Sequence, residues 1–285
     1  MTADDVKDLA GGNVARGDEM TEADLAALRE AVRRLENPGF VARLTDLVGE
    51  PLEKAARFLP GQMTERVQQA VRITLEKLLD VAIRTLEDED RRPGGTLRGR
   101  SRFHRVASGA SGAVGGFFGT PALLVELPIS TTIILRSIAD IARSEGEDFT
   151  RVEARLSCLE VFALGGRTVA DDGAETGYYA VRAALARAVT DASRHLAERG
   201  LAGKGAPVLA RLVSQISARF GVVVSEKVAA QAVPVLGAIG GAGINLLFVD
   251  HFQDVARGHF TVRRLERRYG HLVVQRNYER LRDGI

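Results

Sequence analysis

Five side chains stand where acid, base or metal chemistry is conceivable. Glu126 is the only charged residue between Val106 and Leu135, Asp140 falls inside an apolar helical pattern, and Asp250, His251 and Asp254 close a second apolar run. His251 and Asp254, at i and i+3, share a helix face. Were Glu126 and Asp140 to converge on that pair, four oxygen and nitrogen donors would suit a hydrolytic ion such as Zn²⁺ or Mn²⁺. The competing expectation is ion pairing, because a buried charge without a partner is costly. Arginines are at hand: Arg136 and Asp140 are an i,i+4 pair, and Asp254 has Arg257 and Arg136 as candidates. Pairing is therefore the expectation, with no metal and no cofactor, and a metal-dependent hydrolase is the alternative.

Other catalytic patterns are missing from the sequence. It contains no Walker A segment, no GxSxG, no CxxC and no HExxH. His104, His195, His259 and His271 show no ligand spacing. Cys158 is the single cysteine, flanked by Leu156, Leu159, Val161 and Phe162, and reads as a small buried hydrophobe in a reducing compartment. The acidic start MTADDVKDLAGG has no secretory pattern. An enzyme is thus less expected than a binding or accessory protein.

The composition favours helices as the elements that carry these residues. The chain of 285 residues is 45% hydrophobic, lacks Trp and is rich in Ala, Leu, Val and Arg. Thr21 as N-cap, with Leu25, Leu28, Val32 and Leu35 on one face, predicts a helix over 21–36. Short helices are expected from Phe40 to Val48 and from Leu52 to Leu59. The spacing of Val67, Val71, Leu75, Leu78, Leu79, Ala82, Ile83 and Leu86 predicts a long amphipathic helix from Thr64. Further helices are expected over Thr150–Leu164, Tyr178–Arg199 and from Leu209 towards Ala232. Domain organisation follows: an acidic lead-in (1–20), N-terminal amphipathic helices (21–100) and a helical domain (101–285) with a basic end.

Two Gly-rich runs organise the last of these. The first carries Gly112, Gly115, Gly116 and Gly119, and the second Gly237, Gly240 and Gly241; GAVGG in one answers GAIGG in the other. Glycines at such spacing expose backbone along a stripe and let helices approach closely, and each run is about long enough for the hydrocarbon core of a bilayer. Pro121 and Pro128 predict a break after about residue 119 and a new helix capped by Ser130 or Thr131. The fold class expected is all-α, a multi-helix bundle with two central Gly-rich, hairpin-like apolar segments.

Charge is distributed unevenly. Net charge is +2 overall, but His251 to Ile285 holds eight Arg against four acids. Arg263, Arg264, Arg267 and Arg268 lie on one side of a predicted helix, with one or two cationic helices over Phe260–Tyr269 and Leu272–Leu281. Such a helix can rest on an anionic bilayer. No nucleic-acid motif accompanies these arginines, so no nucleic-acid partner is expected.

The blocks ELPISTTIILRSIADIARSEGED with CLEVFALGG, and VPVLGAIGGAGINLLFVDHFQDVARGHFTVRRLERRYG, resemble the two signature blocks of the EcsC family. The resemblance covers roughly Val106 to Gly270. It implies a membrane-associated helper, of the kind encoded beside bacterial ABC-transporter subunits, and carries no catalytic residue over. The resulting expectation is a non-enzymatic accessory protein, cytoplasmic and peripheral on the inner face of the cell membrane. It would meet lipid, or a membrane protein complex such as an ABC transporter, through the Gly runs and the Arg-rich end, and self-association is left open.

Overall fold

The structure is a computed structural model that describes residues 20–36, 40, 61–84, 120–166, 177–199, 206–232 and 240–284, with backbone alone at 61–63, 120–125 and 240–242. Eight helices are found among them and no strand: α1 (Glu22–Glu36), α2 (Gly61–Arg84), α3 (Thr120–Ser144), α4 (Val152–Leu164), α5 (Tyr178–Arg199), α6 (Pro207–Ala232), α7 (Gly240–Tyr269) and α8 (His271–Arg282). The fold is all-α, as composition and periodicity predict. The expected short helices after Phe40, and Gly112, Gly115, Gly116, Gly119 and Gly237, lie outside the described residues.

Local chemistry accounts for several helix ends. The Thr21 hydroxyl accepts from the backbone N–H of Asp24 at 3.2 Å, capping α1, while Glu22 and Asp24 face the positive end of its dipole. The α2 C-terminus is closed from elsewhere in the chain: Arg155 donates to the Ile83 carbonyl at 2.9 Å. Gly270 has φ +85° and Gly146 φ +80°, left-handed backbone that glycine adopts without strain, and each follows the end of a long helix.

Pro128 of α3 does not act as expected. Pro121 sits in the first turn, where its missing N–H costs nothing, and Pro128 lies inside a continuous helix. Ser130, Thr131 and Thr132 are not caps. Their hydroxyls turn back onto the Leu127 and Pro128 carbonyls, at 3.2, 2.5 and 2.6 Å, and occupy acceptors around the proline. The stretch Phe260–Tyr269 is likewise no separate helix; it is the last third of α7.

α4 is the innermost helix, buried on every side from Ala154 to Ala163, so it has little amphipathic asymmetry. Around it, Phe40, Phe162, Phe220, Phe248 and Phe252 form a chain of ring contacts with centroids 5.0–6.2 Å apart. A second core of Leu28, Val32, Tyr178, Val262, Leu265, Val274 and Tyr278 joins α1, α5, α7 and α8. Cys158 is fully buried, and burial pushes its thiol pKa far up, so it is an inert packing residue.

α3 and α7, which carry the two apolar runs onward, lie side by side and parallel. Gln253 donates to Ser137 at 2.7 Å, Arg263 to Glu147 at 2.9 Å and Arg264 to Glu145 at 2.7 Å, with sequence separations of 116, 116 and 119. A near-constant separation along α3 and the turn that follows it requires a common direction. Both N-terminal ends therefore sit at one end of the bundle. Among the described residues one stretch, Pro207–Gln231 in α6, is long and apolar enough to cross a membrane, and half of its most apolar window is packed inside the protein.

Candidate functional site

The shared end of α3 and α7 is built around an ion pair. Lys227 of α6 has no solvent exposure, and its Nζ donates to Glu126 of α3 at 3.0 and 3.3 Å and to the Asn245 amide oxygen of α7 at 2.9 Å. The ammonium also lies 4.6 Å from the centroid of the Phe248 ring. Burial lowers the Lys227 pKa and Glu126 opposes that fall. Three helices are thus tied at a single charge, one or two turns from where each Gly run joins its helix. Lys227 was not singled out by sequence. The signal was present, since it shares a stripe with Phe220, Val223, Val224 and Ala230 in an otherwise apolar face, and Glu126 is the lone charge of the facing run.

The four residues of the metal alternative do not gather. Glu126 is held by Lys227. Asp140 pairs with Arg143 at 3.5 Å, the His251 ring lies 2.9 Å from the Gly165 carbonyl, and Asp254 meets Arg257 at 3.3 Å and Arg34 at 3.5 Å. Among the described residues no group of three or more His, Cys, Asp or Glu side chains is placed to hold a metal ion. The reason is electrostatic: each carboxylate found a nearer cation.

The arginines of α7 lie at its other end, about 35–42 Å from Gly240 at 1.5 Å per residue. Asp24 accepts from Arg264, Arg268 and the Tyr269 hydroxyl at 3.2, 2.8 and 2.7 Å. Tyr269 above all, with Arg264 and Thr21, holds the Asp24 carboxyl below its ordinary pKa. Glu147 takes Arg263 and Arg267, and Glu145 takes Arg264. Burial raises the Glu147 pKa, but the hydrogen bond and charge of Arg263, with the charge of Arg267, outweigh it and leave that carboxyl low. The Glu126–Lys227–Asn245 cluster and the Arg-rich cluster therefore lie towards opposite ends of α7.

Beside these arginines runs a largely buried polar seam. Arg182 forks onto Glu266 at 2.8 and 3.0 Å and donates to the Tyr178 hydroxyl at 3.2 Å, which lies 2.9 Å from His259 Nδ1. Tyr179 and His271 also bond Glu266, and Tyr278 donates to Glu36 at 2.7 Å. Burial first, then Arg182 and Arg263, push the His259 pKa well below its ordinary value, so its ring is neutral. Its side chains fill their own space, and the seam joins α1, α5, α7 and α8.

The family model described as the EcsC protein family matches residues 22–265, from the start of α1 to the Arg-rich end of α7. It thus begins well before the stretch that carries the resemblance in sequence. Comparison with curated proteins and with solved structures gives no match. A family match across most of the chain, joined to an all-α bundle in which both signature blocks pack together, places the protein: it belongs to the EcsC family.

Proposed function

We propose that this EcsC protein is a non-enzymatic accessory factor that associates peripherally with the cytoplasmic face of a membrane, binding lipid at the end of the bundle where its two Gly-rich runs join α3 and α7. The parallel placement of those helices carries the reading. It brings both junctions to the same end, so that two apolar stretches act together rather than at opposite poles. Ile129, 50% exposed, and Leu246, 37% exposed, lie within one turn of Glu126 and Asn245 at that end. Large apolar side chains left in water beside the origin of two uncharged runs favour an apolar partner. Lipid fits better than a soluble protein, since Gly-rich helical faces gain by close packing in hydrocarbon. A membrane protein complex such as an ABC transporter is the protein partner compatible with that location.

Flotation with phosphatidylcholine vesicles tests this reading. The wild-type chain is expected to float, and Ile129→Asp with Leu246→Asp to reduce the bound fraction about tenfold while leaving helicity unchanged. A wild type that stays at the bottom of the gradient, or a double variant that floats as well as wild type, overturns the proposal.

A further inference from the structure

The opposite end of α7 presents a different surface. Its carboxylates lie beneath and its guanidinium groups lie above: the Asp24 and Glu147 side chains are 9% and 5% exposed, against 43% for Arg267 and 58% for Arg268. Four arginines, Arg263, Arg264, Arg267 and Arg268, share three carboxylates, Asp24, Glu145 and Glu147. The ion pairs thus hold the arginines in place without cancelling them. A cation remains in excess, and solvent meets the cations first.

The chain then turns at Gly270, and α8 continues the surface. Leu272 is 72% exposed, more than Ile129 or Leu246. Arg276 and Arg280 are exposed and follow at i+4 and i+8, on the same face as Leu272, while Val273, Val274 and Tyr278 turn inward. The nearest acids are engaged: Glu266 holds Arg182 and His271, Glu279 accepts from Gln275, and Asp283 pairs with Arg282. The result is a lone exposed apolar side chain on the arginine-bearing face of α8, two residues past the Gly270 turn from the exposed Arg267 and Arg268 end of α7.

From this we infer that the α7–α8 corner docks on an anionic bilayer surface, with Arg267, Arg268, Arg276 and Arg280 taking headgroup phosphates and Leu272 entering the interface. Charge complementarity selects an anionic partner, and Leu272 selects lipid over nucleic acid, since a phosphate backbone offers an exposed leucine nothing. The inference shares only the class of partner with the proposed function. Its residues lie at the far end of α7, so the two stand or fall separately.

The full-length chain is mixed with vesicles of phosphatidylcholine alone or with phosphatidylglycerol added. Adding phosphatidylglycerol is expected to raise binding about tenfold, and raised salt to remove that gain. Leu272→Ser, and separately Arg276→Glu with Arg280→Glu, should each abolish most of the gain. All three side chains are exposed, so the melting temperature should hold. Ile129→Asp with Leu246→Asp should lower binding to both vesicle types and keep the phosphatidylglycerol gain. The inference is overturned if phosphatidylglycerol makes no difference, or if the α8 variants keep the whole gain. It is also overturned if duplex DNA binds more tightly than vesicles and is indifferent to Leu272→Ser, which would make the corner a nucleic-acid surface. Should the α8 variants fail to act while the Ile129 variant does, this inference falls and the proposed function stands; the reverse result separates them the other way.

Discussion

Lys227 shows how much a single side chain can decide. Removing one member of a buried ion pair leaves the other charge in an apolar site, which typically costs about 3–5 kcal/mol. Lys227→Met is therefore expected to lower the unfolding free energy by about that amount, measured by urea titration. Adding Glu126→Gln should restore most of the loss, because the stranded charge is then gone. Its neighbour Glu226 supplies a pH dependence. Burial raises its carboxyl pKa from 4.5 to about 7. A raised folded-state value means that the folded chain holds the proton more tightly, so the associated stability is present below about pH 4.5 and lost as pH rises towards 7. Glu226→Gln should accordingly raise the melting temperature at pH 8 and change it little at pH 4, with a difference on the order of 2 kcal/mol. Equal effects at both pH values would show that this carboxyl titrates normally.

Helix packing turns on close approach. At Gly258 of α7 an added Cβ would stand 2.6 Å from Leu35 Cγ and 3.1 Å from the Ala31 carbonyl oxygen, so α1 crosses α7 where no side chain intervenes. The Leu35 side chain can shift, but the Ala31 backbone cannot move without moving α1. Gly258→Ala should destabilise the protein by about 1–3 kcal/mol despite the better helix propensity of alanine. Thermal melting decides the matter: an unchanged or higher midpoint would mean that α1 is free to slide. The helices themselves were largely legible beforehand. α5 spans Tyr178–Arg199 as periodicity predicts, and α1 and α4 agree to within two residues. α3 is where the reading failed, because proline propensity argues for a break at Pro128. Pro128 removes only the one N–H aimed at the carbonyl four residues earlier, and the burial of Leu127, Ile134, Leu135 and Ile138 keeps α3 helical across it.

At the scale of the whole molecule, parallel α3 and α7 give the bundle two unlike ends. One carries the junctions of the apolar runs, Ile129 and Leu246; the other carries paired arginines and Leu272. Side chains some 35 Å apart that touch none of the same residues contribute independently. The effects of the Ile129 and Leu272 variants on vesicle binding should accordingly multiply. What the sequence determined by itself is the helical class, most helix positions, the family blocks and the candidate ionisable residues, because these depend on neighbours one to four places apart. Whether Glu126, Asp140, His251 and Asp254 would meet one another or meet cations was a question of distances between residues more than a hundred positions apart. Only the tertiary structure decided it, by setting Lys227 against Glu126 and Arg34 against Asp254. The cause is that local periodicity says which face of a helix is buried and nothing about which other helix buries it.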